Sequence, residues 1–166
     1  MVQLLEEVYF KRVVGLNSGK MRVAKILNTG HFLLEIMKTY VADTKRNGKG
    51  IFAAKDIQTD EVINIFKGKV YTEKKWNNFI DENYLLGLGK NKWLLVINSL
   101  RYTNHSCNPN STIKNGVQLV ALREIPKDEE VNFDYALTEE DPYWRMECHC
   151  GSPDCRKLIV SKARFR

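Results

Sequence analysis

Arg101-Tyr102-Thr103-Asn104-His105-Ser106-Cys107-Asn108-Pro109-Asn110 follows an apolar run over residues 93–97 and brings amide, imidazole and thiol groups together in one short stretch. The apolar run reads as a buried strand. The decapeptide cannot simply continue that strand. The proline at 109 biases Asn108 away from the helical region, and Asn108 and Asn110 can close turns through their own side chains, which predicts a tight, ordered loop. Taken alone, an Asn-His pair is most simply a surface turn that carries a core histidine. Two later segments shift that balance. Phe133-Asp134-Tyr135 ends a second apolar-alternating run, and Cys148-His149-Cys150-Gly151-Ser152-Pro153-Asp154-Cys155 supplies three thiols that lack a fourth partner unless it is Cys107.

A chain of 166 residues fits one domain and buries about 68–70% of its unfolded surface. Its 26 Lys and Arg against 20 Asp and Glu permit an acidic partner such as a nucleic acid without demanding one. The first fourteen residues carry Glu6 and Glu7 inside their apolar stretch and do not read as a secretory signal, and no other run approaches membrane-spanning length. The expectation is an intracellular, soluble protein with no membrane partner. Reducing conditions there disfavour disulfides and turn the four cysteines towards metal binding.

Residues 1–37 read as short extended segments separated by Gly-Leu-Asn-Ser-Gly (15–19) and Asn-Thr-Gly (28–30). They are too few to hold a core and are expected to pack on the rest as a β-rich extension, with substrate recognition as the alternative. Strands are predicted at 40–42 and 51–54 around Gly48-Lys49-Gly50, where two glycines form a hairpin turn or let a ligand approach the main chain. Residues 61–66 and 70–71 read as a strand pair flanking Lys67-Gly68-Lys69, and Thr72 can cap a short helix to residue 80. Residues 84–88 and 92–96 form a hairpin through Gly89-Lys90-Asn91. Strands at 117–122 and 131–133, with a charged turn over 125–130, complete a mostly β chain without repeats.

Cys148, Cys150 and Cys155 offer three soft ligands in a turn-rich span, and Cys107 makes four. Zinc asks for four in a tetrahedron with sulfur at about 2.3 Å. His149 is a competing ligand, and Arg145, Arg156 and Lys157 are placed to offset thiolate charge. Joining Cys107 to the cluster pins the tail across the central loop.

In this order, the Asn-His-Ser-Cys loop, Phe133-Asp134-Tyr135 and the terminal cysteines resemble the SET domain of protein-lysine methyltransferases followed by a post-SET zinc motif. Arg46-Asn47-Gly48-Lys49-Gly50-Ile51-Phe52-Ala53 is similar to the Gly-x-Gly segment that opens such domains. The resemblance implies a mostly β, β-clip-like SET fold of small curved sheets with a knot-like C-terminal crossing and short helices. It divides the chain into the extension at 1–37, the SET domain at 38–137, and a post-SET zinc segment with a basic tail at 138–166. It also implies transfer of methyl groups from S-adenosylmethionine to a lysine of a histone or another basic protein.

Carried over by residue, the resemblance places Lys49 and Gly50 against the cofactor through their backbone, and Asn104 and His105 against its amino and adenine parts. Leu158 lies near the cofactor. Tyr135 is the catalytic tyrosine and Tyr84 a second one. Both border the cofactor and, with Phe133, the lysine channel. Arg101 reads as structural, and Cys107, Cys148, Cys150 and Cys155 hold zinc. Phe133 offers no hydroxyl, which implies di- or trimethylation. The rival reading is a catalytically silent SET-like binding module that uses its groove or the basic tail, and retention of Tyr135, Asn104 and His105 favours the enzyme. The tail could touch nucleic acid or be plainly solvated, and the resemblance implies a nuclear or chromatin-associated protein if the host is eukaryotic.

Overall fold

The computed structural model describes residues 37–46, 48–72 and 84–162. The expectations placed on residues 1–36, on a helix beyond Thr72 and on residues 163–166 lie outside the described residues. Within them the chain is a set of small sheets built from twelve short strands. No helix of the described residues is long and apolar enough to cross a membrane.

Strands β1 (Thr39–Asp43) and β2 (Lys49–Ala53) pair antiparallel, from Thr39 opposite Ala53 to Asp43 opposite Lys49. The turn between them is closed by the Thr44 N–H on the Gly48 carbonyl, and Gly48 takes φ +70°, a left-handed conformation that glycine adopts without penalty. Gly50, Ile51 and Ala53 of β2 are buried, and β10 (Glu130–Phe133) pairs on its other side, with Val131 opposite Ile51 and both side chains fully shielded. Such burial stabilises by about 1.5–3 kcal/mol per side chain.

Two hairpins supply the remaining sheets. Strands β8 (Ser111–Lys114) and β9 (Gln118–Ala121) carry β3 (Val62–Ile65) on the β9 edge, while β5 (Leu85–Gly89) and β6 (Lys92–Val96) carry β4 (Gly68–Tyr71) on the β6 edge. Lys90 and Asn91 both have positive φ, the geometry of the tight turn expected there. The runs expected as a strand pair at 61–66 and 70–71 contain β3 and belong to β4, but the two strands do not pair with each other. Phe66, 5% exposed, turns into the core between them, and the Ile97 N–H reaches the Lys67 carbonyl, so the second strand is handed to β6.

The decapeptide 101–110 differs from the predicted loop. Residues 99–102 form a 3-10 turn, and Asn104–His105 form a two-residue strand, β7, which pairs parallel with β10: Asn104 opposite Asn132 and His105 opposite Phe133. The sheet order β1-β2-β10-β7 places a late strand between an early one and a mid-chain one, which is the knot-like crossing. The asparagines also act differently. Ser106 Oγ accepts the Asn108 N–H, whereas buried Asn110 reaches across the chain, exchanging bonds of 2.9 and 3.2 Å with Asn132 and donating 2.8 Å bonds to Glu129 Oε1 and the Glu130 carbonyl. A fully buried amide must satisfy its donors and acceptors, and β10 offers them where a local turn does not.

Past the 3-10 turn Tyr135–Leu137, β11 (Arg145–Glu147) and β12 (Leu158–Val160) pair antiparallel and bracket residues 148–155. Ile159 and Cys148 are buried there against Ala136.

Candidate functional site

The crossing positions the tyrosine. Phe133 ends β10 on the buried side, Asp134 caps the following 3-10 turn through its carboxylate on the Ala136 N–H at 3.1 Å, and Tyr135 opens that turn. The Tyr135 hydroxyl donates to the Thr103 carbonyl at 2.8 Å, and its backbone N–H donates to His105 Nδ1 at 3.2 Å. Burial, with the Glu130 carboxylate nearby, pushes the phenol up to about 12, so it stays protonated in neutral solution.

Tyr135, Phe133 and Tyr84 line one cavity of about 350 Å³ together with Phe66, Leu86 and Trp144. The Phe133 and Tyr135 rings lie 5.1 Å apart between centroids, and Phe133 meets Phe66 edge-on at 6.1 Å. Arg101, read from sequence as structural, also lines this cavity. Its guanidinium carbon stands 3.7 Å from the centroid of the Tyr84 ring, a cation–π contact, and its buried Nε has no hydrogen-bond partner among the described residues. Nothing in its spacing from the Asn-His pair announced this role. Arg145 and Glu139 border the cavity as well.

Lys49, Gly50 and Asn104 meet on the other side of the crossing. Asn104 Nδ2 donates to the Lys49 carbonyl at 3.1 Å and to Glu130 Oε1 at 2.7 Å. A Cβ on Gly50 would come within 2.7 Å of Glu130 Oε1 and 2.5 Å of Thr44 Cγ2, so this glycine admits the Asn104–Glu130 pair, while the space beside Gly48 is open. The Lys49 side chain is exposed and points to Asp43 at 3.4 Å. His105 is 7% exposed, and its two ring nitrogens face the Tyr135 N–H and Cys107 Sγ, the latter at 3.2 Å. With Nδ1 accepting, the ring proton is assigned to Nε2, directed at the sulfur. Burial holds the imidazole below its ordinary pKa despite Asp134, which favours the neutral ring. Leu158 lies on β12, 46% exposed and opposite Glu147.

The thiols gather. Donor atoms of His105, Cys107, Cys148 and Cys150 all lie within 4.8 Å of one another, with the Cys107 and Cys148 sulfurs 3.6 Å apart. Cys155, the fourth ligand expected from sequence, is not one of that group, in which His105 stands instead; its Sγ donates to the Cys148 carbonyl at 3.3 Å. Burial pushes the Cys148 thiol up; at Cys150 burial is outweighed by the N–H donors of Cys107 and Ser152, which pull that thiol down. A soft, converging donor set of this kind could hold zinc. His149, the competing ligand, is instead exposed beside Glu147. Of the three cations expected to balance the cluster, Arg156 touches sulfur: its backbone N–H and Nε each lie 3.4 Å from Cys107 Sγ. Arg46, unassigned by sequence, donates to the Cys150 carbonyl at 2.5 Å and ties the glycine turn to the cysteine loop.

Comparison with known proteins agrees with this geometry. Histone-lysine N-methyltransferase trr of Drosophila melanogaster is 32% identical over 137 residues, which cover 72% of this chain and 6% of that protein. A histone-lysine N-methyltransferase of Candida glabrata, H3 lysine-36 specific, is 32% identical over 148 residues, 75% of this chain and 20% of that one. The chain thus spans only a small part of the length of these relatives. The crystal structure of KRYPTONITE in complex with mCHG DNA and SAH shares the fold, with a TM-score of 0.59 at 20% identity over 72% of this chain and 28% of that one. A SET domain profile matches residues 48–136, more than half of the sequence, and the chain belongs to the SET-domain family.

Proposed function

We propose that this chain is an S-adenosylmethionine-dependent protein-lysine N-methyltransferase. The observation that carries the reading is Tyr135, held by its hydroxyl to the Thr103 carbonyl in the wall of a cavity that Tyr84 and Phe133 also line. When bound, S-adenosylmethionine supplies an electrophilic methyl group on a sulfonium. Lys49, Gly50, Asn104 and the backbone of His105 would border it, since the His105 ring nitrogens are committed within the protein. Leu158 is the remaining candidate contact.

The amine must arrive neutral. From a lysine pKa of about 10.4, deprotonation at pH 7 costs about 4.6 kcal/mol. The aromatic lining lowers this by desolvation, and Arg101 and Arg145 lower it by like charge, opposed by Glu139. Tyr135 is not the base, because its phenol is held protonated. Its hydrogen goes to Thr103, which leaves the oxygen lone pairs to accept from the amine N–H and aim its own lone pair. With the donor bound, the N–C bond would form as its C–S bond breaks, the electron pair would stay on sulfur, and the ammonium proton would leave to water.

Cys107, Cys148, Cys150 and Cys155 are proposed to hold one zinc as a post-SET site, a structural cross-link that reaches the Tyr135 backbone through His105. The substrate class we favour is a histone tail or another basic protein, with a nuclear setting. The relatives' names support this, as does the second structure of KRYPTONITE, solved with an H3(1-15) peptide. Contact of the basic C-terminal residues with nucleic acid remains part of the proposal.

Labelled methyl donor, incubated with histones and a cell lysate and followed by mass spectrometry, tests the activity. Label should appear on lysine, and Tyr135→Phe should remove it by at least about 100-fold while cofactor affinity stays. Near-normal turnover of that variant would exclude Tyr135 as the catalytic residue. Product multiplicity rests on Phe133, whose ring leaves the channel without a hydroxyl at that point. Wild type should proceed to di- or trimethyl-lysine, and Phe133→Tyr should shift the products to monomethyl without a matching loss of the first transfer. A wild type that stops at monomethyl with excess donor overturns this.

A further inference from the structure

We infer that Arg156 is a positioning residue that carries the arrangement of the cysteine cluster to Tyr135 through Asp134. The inference rests on the reading of Tyr135 as the catalytic tyrosine, but its geometry is independent of that reading. Arg156 holds two elements at once. Its backbone N–H and Nε face Cys107 Sγ at 3.4 Å, and its Nη2 lies 2.6 Å from Asp134 Oδ1.

That same carboxylate oxygen caps the Ala136 N–H at 3.1 Å and stands 3.6 Å from His105 Nδ1, which in turn accepts the Tyr135 N–H. Asp134 and His105 therefore hold the first two backbone N–H groups of the turn that carries the tyrosine. The Asp134 side chain is 13% exposed and that of His105 4%, so solvent reaches Asp134 only at its edge and His105 hardly at all. An exposed ion pair is worth little, but this one ends on a shielded carboxylate with a second bond to make.

The choice of arginine follows from the two acceptors. A guanidinium presents Nε and Nη2 in a rigid plane and can serve a sulfur and a carboxylate together. Lysine keeps the charge on one nitrogen and can serve one of them. Without the bridge the Asp134 carboxylate is free to rotate, the cap on Ala136 loosens, and the phenol leaves the alignment that Thr103 and His105 define. Misplacement of a reacting group by about 1 Å lowers rates by about 100-fold, and a partial shift lowers them less.

The test uses the full chain with Arg156→Lys, Arg156→Gln, Asp134→Asn and the Arg156→Gln/Asp134→Asn pair. Zinc per chain, calorimetric affinity for S-adenosylhomocysteine, kcat and KM for a histone peptide, and the fluorine resonance of fluorotyrosine at position 135 are measured. Expected are retained zinc, unchanged cofactor affinity and peptide KM, a kcat about tenfold lower in each single variant, and a pair no worse than its poorer single. The Tyr135 resonance should move in Arg156→Lys, which keeps the charge and serves as the test should the glutamine variant not fold. Unchanged kcat with an unmoved resonance, additive losses in the pair, or loss of zinc from Arg156→Lys would each overturn the inference. A wild type that transfers no methyl group would refute the proposed activity instead, and the fluorine resonance would still decide the bridge.

Discussion

Two clusters of buried side chains organise the described residues, and they differ in what closes them. The larger draws Ile51, Ile57, Leu100, Leu119, Ile125 and Val131 from segments far apart in sequence, and its polar crossing is satisfied by Asn110 and Asn132. The smaller has Ala136, Cys148 and Ile159 as its buried members, ringed by the other three cysteines, Trp144 and Met146. The first closes on apolar burial and paired amides. The second buries too little to stand alone and depends on its thiols, as small units commonly depend on staples. Tyr135 packs on the larger cluster while its neighbour Ala136 belongs to the smaller, so the proposed active site lies on the seam between two modes of stabilisation.

The strongest way to break this comparison is to remove the staple. Chelation, or Cys148→Ser, should lower methyl transfer by more than about 100-fold and open residues 145–160 to protease, while the main thermal transition moves by only about 4–8 °C. Collapse of the whole domain in one step would show that the larger cluster does not stand by itself.

The converse acts on the larger cluster. Asn110→Leu leaves the Asn132 N–H and the Glu130 carbonyl without their partner at a site 1% exposed, and should cost about 2–4 kcal/mol in urea unfolding. Zinc content of the folded fraction should not change. A loss below about 0.5 kcal/mol would mean that the crossing is held by packing alone.

The smallest effect sharpens the seam. A folded-state phenol pKa raised to about 12 favours the neutral form, so its contribution to stability is fully present below the ordinary value of 10 and is lost as pH rises from there towards 12. Initial rates from pH 7 to 9.5 should therefore climb as the target lysine loses its proton, with no downturn from Tyr135. A downturn within that range which tracks tyrosinate absorbance would place the phenol in water rather than against the larger cluster.

The local elements were legible because local chemistry fixes them. The short apolar runs at 40–42 and 51–53 and the alternating run ending at 133 mark real strands, and Gly89-Lys90-Asn91 makes the turn its residues demand. The thiol spacing, with Cys107 as the distant member, marks Cys107, Cys148 and Cys150, which converge, whereas the fourth donor within 4.8 Å is His105 rather than Cys155. What stayed hidden depends on partners remote in sequence. Asn104–His105 becomes strand only because β10 passes beside it, and Asn110 looks like a turn residue until Asn132 arrives. Arg101 reads only as structural and Arg156 only as one of three cations near the thiols, since neither a ring beneath a guanidinium nor a carboxylate across a sulfur leaves a periodic trace.

The parallel ladder between Asn104–His105 and Asn132–Phe133 also sets an order of biosynthesis. On the ribosome the two hairpins, β5–β6 and β8–β9, join neighbours in sequence and can form as soon as each emerges. The strand that threads between β2 and β7 joins distant ones, and contacts of that kind form late. Thr103 waits for Tyr135, and Arg46 waits for Cys150, 104 residues further on. The nascent chain can thus acquire much of its sheet structure while still lacking its tyrosine, and the crossing that holds Tyr135 against Thr103 is completed only once β10 and the turn after it have emerged.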